Sequence, residues 1–309
     1  MAKIDIGKVA FAGFGLVGRK PLAVVGWALF LFVVGVLPAL AFIGPMIGNI
    51  ADLVALAQSG AEPTHEQMMP MITTMYAANP ILWLTGLITR VMITAAIFRA
   101  VLEPSASRWA YLRLGMGEVM MAVVVLVLAI LVGVGAAVGA AVALAVCVAI
   151  WQASHAAAIG VGILLGLVLL GATIWVLLRL SLAAPMSLAE KNFRLFESWS
   201  LTRGNSLRLL LVGIILWVML MVVEILVAAI AMAVVLPVVS AGSSSGALSQ
   251  ASIQAFFSQP AATWLPQIMP WVAVIGLVGS LIGAVLVTII TAPWAEAYRQ
   301  LRQTPDALV

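Results

Sequence analysis

The chain has 309 residues, 64% of them apolar and only 8% charged, with a formal net charge of +4. Average soluble domains carry about 25% charged residues, so one aqueous core cannot hide this much apolar surface and the solvent must be lipid. The single cysteine, Cys147, excludes an intrachain disulfide and a cysteine-only metal site, and cations gathered at the ends of apolar stretches argue against a nucleic-acid partner.

The first twenty residues lack the small-residue cleavage site that follows a short apolar core, so no signal peptide is expected. A spanning helix needs about 20 apolar residues, and six segments qualify: 21–44, 81–103, 119–148, 159–184, 207–239 and 271–292. The third and fifth exceed what a bilayer requires, so they tilt or continue as helix beyond it. Pro38 should bend or end the first. Fourteen of the fifteen Lys and Arg residues fall in four clusters: Lys3 to Lys20, Arg99 to Arg113, Arg179 to Arg208, and Arg299 with Arg302. The alternate connections, 45–80, 151–158 and 240–270, carry only Asp52, Glu62 and Glu66 as charges. Basic loops stay on the cytoplasmic side during insertion, so both termini and two loops are expected there.

The even spans exit through Leu102-Glu103-Pro104, Ala183-Ala184-Pro185 and Ala292-Pro293, where proline should close or redirect each helix. A short segment precedes each odd span: 14–18, 111–115 and 199–204. The pattern predicts an all-α integral membrane protein, six transmembrane helices as three hairpins (approximately 1–104, 105–185 and 186–309) with cytoplasmic amphipathic elbow helices. The third elbow reads most clearly. Ser187-Leu188-Ala189-Glu190 has the form of a capping box. Beyond it Phe193, Leu195, Phe196 and Trp199 share one side at helical spacing, and Lys191 and Arg194 share the other. Such a helix lies in the headgroup plane, aromatic side down, where Lys191 and Arg194 would meet anionic headgroups or a partner.

Arg179-Leu-Ser-Leu-Ala-Ala-Pro185, then Glu190, then Phe196-Glu-Ser-Trp-Ser-Leu-Thr-Arg-Gly-Asn205 resembles the signature of a bacterial six-span family known as the glycerophosphoryl diester phosphodiesterase membrane domain, or YciC-like. The likeness covers about 30 residues. It implies an integral-membrane fold; where a phosphodiesterase is fused to this domain, catalysis belongs to a separate soluble barrel, and no such barrel fits in this sequence.

Two ionisable residues lie deep inside spans, Arg90 in the second and Glu224 in the fifth. A charge at mid-bilayer costs a few kcal/mol or more, so each should face protein, water or an opposite charge. On straight helices their depths differ by about 9 Å, which tilt and a long Arg side chain can close, so they are candidates for a pair, for holding an anionic headgroup, or for accepting a proton at Glu224. Thr85, Thr89 and Thr94 on the same span as Arg90 either line a polar cavity or bond back to their own helix. Gly135 with Gly139, Gly162 with Gly166, and Gly279 with Gly283 allow close helix approach, within one chain or between copies. The Gly- and Ala-rich third span should therefore lie near the centre of a bundle. In the first outer connection His65, Met68, Met71 and Met75 recur at helical spacing. Thioether and imidazole suit Cu(I), although a methionine stripe is more often plain apolar surface.

Gly13-Phe-Gly-Leu-Val-Gly18 matches a dinucleotide fingerprint by letters only, since it follows no strand and abuts a span. No activated nucleophile, paired carboxylates or nucleotide loop is present, and no cofactor is expected. The sequence thus predicts a non-enzymatic, lipid-interacting protein of a bacterial-type inner membrane that binds or moves an amphiphile or organises partner proteins. The alternative is a transporter or channel for a small solute or metal ion, against which stands the near absence of Asn, Gln and Asp from the spans.

Overall fold

With no water in a bilayer core, a spanning segment must satisfy its own amides, and a helix does so within one segment. The computed structural model describes residues 4–58, 60, 64–105, 108–244 and 261–302, and every regular element among them is helical. Among the described residues six helices are long and apolar enough to cross a membrane: Pro21–Phe42, His65–Leu102, Trp109–Trp151, His155–Glu190, Ser206–Ile230 and Met269–Arg302. Each contains one of the six expected segments or most of it.

In chain order the elements are α1 (Ile6–Ala10), α2 (Ala12–Arg19), α3 (Pro21–Phe30), a π-helical turn (Leu31–Val36), α4 (Leu37–Gln58), α5 (His65–Leu102), a short 3₁₀ turn (Arg108–Tyr111), α6 (Met116–Trp151), α7 (His155–Leu180), α8 (Ala183–Glu190), α9 (Glu197–Leu201), α10 (Ser206–Ser244) and α11 (Ala261–Arg302). The connection over 45–80 is largely helix: α4 runs on to Gln58 and α5 begins at His65. The 38 residues of α5 extend about 57 Å, well past a hydrocarbon layer of about 30 Å. Residues 245–260 of the 240–270 connection, and Ser59 and Glu62 of the 45–80 connection, lie outside the described residues.

Pro38 does not end its helix. Proline lacks an N–H and its ring crowds the carbonyl four residues back, and the helix answers with the wider π turn immediately before it. Pro293 also leaves its helix unbroken, and α11 continues to Arg302. The proline frees the carbonyl of Ile289, and at that point α2 comes closest: a Cβ on Gly13 would stand 2.4 Å from Ile289 Cα and 2.8 Å from its carbonyl oxygen. Only glycine lets α2 lie there.

The chain forms two compact units, Met1–Arg19 with Thr94–Leu216 and Thr288–Val309, and Lys20–Ile93 with Trp217–Val287. In the first, Ile4, Val9, Leu182, Leu209, Val212 and Tyr298 make one buried cluster, and Val124, Leu180, Ala183 and Leu195 make another. Its N-terminal strand of chain is stitched down by Arg208 Nη1, which donates to Ile4 O (3.1 Å), and by Asp5 N, which donates to Gln300 Oε1 (3.0 Å). In the second, Gly276 admits Val36, 2.8 Å from where a Cβ would be, and Asn49 Nδ2 donates to Thr74 Oγ1 (3.1 Å).

Helices α6 and α7 run antiparallel through the turn at 152–154, where Ser154 Oγ accepts from Ala157 N and His155 packs edge-on against Trp151. Gly139 faces Leu169 and Gly162 faces Cys147 Sγ, so one glycine of each of the first two predicted pairs serves this packing; Gly135, Gly166 and both members of the third pair, Gly279 and Gly283, face open space. The expected central place for the third span is not found: beyond Val124 no residue of α6 is buried. The start of α6 packs on α8 through Gly117, and farther along Gly139 admits α7, while the remaining faces of α6 are exposed or half-buried.

Candidate functional site

Arg90 and Glu224, the expected interior pair, are both exposed, and no ion pair joins them among the described residues. Depth along a helix was legible; the direction a side chain points is set by helix phase and tilt, which depth does not report. Thr85 and Thr89 donate to Ile81 O and Thr85 O, bonding back to their own helix. His65, Met68 and Met75 are exposed along the start of α5, with Met71 half-buried, and no group of three or more His, Cys, Asp or Glu occurs among the described residues.

The expected single helix over 187–201 is instead a helix, a turn and a helix. α8 ends at Glu190, and Lys191 takes a left-handed conformation (φ 55°) that reverses the chain. Ser187 is therefore near a helix end, not a start, and its hydroxyl accepts from Arg194 N (3.0 Å) across the turn. Leu195 is buried, while Phe193 and Phe196 are exposed. Arg194 turns to Glu190 (3.0 Å) and Glu197 (2.8 Å). Its hydrogen bond holds the Glu197 carboxyl below the usual carboxylate range, and the same bond pushes Arg194 up. A pair this exposed contributes little to stability.

The residues of the 179–205 stretch build a clasp at the end of α7. The last four carbonyls of a helix lack intrahelical donors. Here the Arg179 carbonyl accepts from Ser198 Oγ (3.0 Å) and Thr202 Oγ1 (3.1 Å), and both hydroxyl residues are buried. The guanidinium of Arg179 lies over Trp175 (5.6 Å to the ring centre) and Trp199 (5.4 Å), which meet edge to face at 4.8 Å. Arg179 is thus a structural cation tied to α9 by stacking.

Next to this clasp, between the end of α5, the start of α6 and the end of α8, is a cavity of about 360 Å³. Its charged lining is Arg99, Arg113, Lys191, Glu103 and Glu118; its apolar lining is Leu102, Leu114, Met116, Leu188 and Ala189; Gly115 and Gly117 present backbone. The floor is an ion pair that the sequence reading missed. Arg99 and Glu118 are 5% and 2% exposed and in direct contact, and Arg99 Nη1 also donates to Tyr111 O (2.8 Å). Tyr111 OH donates in turn to Pro104 O (2.9 Å), and these bonds hold Trp109, Ala110 and Tyr111 in the left-handed region, which costs roughly 1–2 kcal/mol per residue. The available signal was Glu118 itself, a carboxylate at the first turn of a span otherwise free of acids, with Arg99 at the end of the span before.

At the rim, Arg113 pairs with Glu103 at 3.3 Å, both about half exposed, and Lys191 is exposed with no ion pair among the described residues. α6 begins without a side-chain cap at Gly115, so its first N–H groups open on this side. Gly117 permits the cavity's narrow wall, since a Cβ there would stand 2.8 Å from the Leu188 carbonyl oxygen. The lining has no hydroxyl, thiol or imidazole; it offers charge, hydrogen-bond donors and apolar surface. Of the residues expected to meet headgroups, the structure brings Lys191 to this cavity, with Arg99 and Arg113, and places Arg194 in a separate pairing with Glu190 and Glu197.

The chain belongs to the family described as Domain of unknown function (DUF7847), whose model matches residues 4–301. No curated protein and no solved structure matches it.

Proposed function

We propose that this protein binds, without chemistry, the anionic head of a membrane amphiphile in the cavity formed by α5, α6 and α8. The observation that carries the reading is the joint presence, in one cavity, of three cations and an apolar wall at the end of membrane-length helices. From that mouth Met116, Val119, Val123, Leu126 and Ile130 continue along α6 at alternating three- and four-residue spacing, all exposed. An acyl tail on this ridge stays in the bilayer while its head enters the cavity. Exposed Phe11, Phe14, Trp109, Phe193 and Phe196, interleaved with Lys8, Arg19, Arg113 and Lys191, fit a headgroup-level belt. In this reading α1–α2, the 108–111 turn and α8–α9 are the entry elements of three hairpins, and their basic side is the cytoplasmic face of an inner membrane. The likeness of 179–205 to the glycerophosphoryl diester phosphodiesterase membrane domain accords with a membrane role without catalysis.

Each cation near an anionic surface is worth roughly 1 kcal/mol, so Arg113→Gln and Lys191→Gly should each lower retention of an anionic phospholipid about fivefold in native mass spectrometry. Lys191→Gly also relieves a left-handed backbone, so the melting temperature should hold or rise while binding falls. Lys8→Gln, a distant exposed cation, is the control. Losses equal to the control's would show general surface attraction and reject the cavity as the site.

A further inference from the structure

The charges of the cavity are not equally available, and their pairing sets the charge of the head it accepts. Arg99 and Glu118 neutralise one another in the floor, out of water. Arg113 and Glu103 neutralise one another at the rim, in a half-exposed pair that can open. Lys191 is left as the single uncompensated charge, held toward the cavity by the left-handed turn at the end of α8. We infer that the cavity selects a monoanionic head, the charge of a phosphodiester bearing a neutral substituent, over a zwitterion or a dianionic phosphomonoester. This rests on the headgroup reading above. A monoanion leaves the site neutral. A zwitterion would leave Lys191 unbalanced, and a dianion would leave one negative charge beside Glu103 and Glu118. Lys191, Arg113 and Glu103 are exposed at this rim, so each unbalanced charge changes retention by about the fivefold expected of one cation near an anionic surface. The cavity's 360 Å³ accommodates a phosphodiester with a small polyol and leaves no need to displace the floor pair.

The test compares phosphatidylglycerol, phosphatidylethanolamine and phosphatidic acid, added singly to delipidated full-length protein at pH 8, above the second phosphomonoester pKa of about 6, and counted by native mass spectrometry. The wild type should retain phosphatidylglycerol at least fivefold over the other two. Glu103→Gln adds one positive charge to the site and should move the preference to phosphatidic acid; Lys191→Gly removes one and should move it to phosphatidylethanolamine. Both positions are exposed, and melting temperatures no lower than the wild type's would confirm that the variants fold. Retention of all three lipids alike, or a preference that neither substitution moves, would overturn the charge rule and leave headgroup binding standing. Retention of none would overturn both.

Discussion

Arg99 and Glu118 illustrate what burial does to two charges. Each is out of water, and the desolvation of one is tolerable only while the other is present. Arg99→Leu and Glu118→Leu should each cost about 3–5 kcal/mol, because each leaves an uncompensated buried charge, whereas the double substitution should recover most of that loss. Recovery should stop short of complete, since Arg99 also supports the Tyr111 carbonyl and with it the left-handed 109–111 turn. Melting temperatures of the three variants in detergent check this; strictly additive losses would sink the coupling. The same comparison at Arg90 and Glu224, both exposed, should show no coupling.

At the scale of helices, close approach is decided by single glycines and not by glycine-rich stretches. Gly13, Gly15 and Gly18 all lie in α2, and their letters imitate a nucleotide fingerprint, yet the structure uses them differently. Gly13 touches the backbone of α11, Gly15 lies beside its own Arg19 side chain, and Gly18 faces open space. Backbone cannot step aside as a side-chain end can, so Gly13→Ala should destabilise by about 1–3 kcal/mol through forced separation of α2 from α11. Gly18→Ala should be neutral or stabilising by up to about 1 kcal/mol, since alanine favours helix. Thermal unfolding distinguishes the two, and equal effects would show that the α2–α11 contact is not tight. A related contrast holds in α6, where Gly139 receives Leu169 and Gly135 receives nothing. Sequence spacing marks both members of such a pair as packing sites, but a neighbouring helix has one phase and meets only one of them.

For the whole molecule, the distribution of cations carries a prediction about orientation. In a Cys147→Ser background, a cysteine at Ser154, in the cation-free α6–α7 turn, should react with an impermeant thiol reagent added outside intact cells. A cysteine at Ser105, between Glu103 and the basic 108–113 segment, should be protected until the membrane is opened. Labelling at Ser105 with protection at Ser154 would reverse the orientation and place the cavity on the outer face.

The sequence by itself determined the six spans, because an apolar run of membrane length is a one-dimensional property that no packing partner can change. It also determined where cations gather, and it singled out the 179–205 stretch, whose Arg179, Ser198, Trp199 and Thr202 join in one clasp. Only the tertiary structure decided which charges meet. Arg99 and Glu118 are nineteen positions apart, in different helices, and both read as ordinary boundary charges until the 108–115 segment folds the second span's end against the third span's start. It likewise decided that the amphipathic pattern over 187–201 breaks at Lys191. Burying Leu195 against Val124 and Leu180, and placing Ser198 and Thr202 on the Arg179 carbonyl, requires a reversal that a continuous helix cannot make. Periodicity reports the preference of a segment alone; the carbonyls and apolar surface it must satisfy belong to its neighbours.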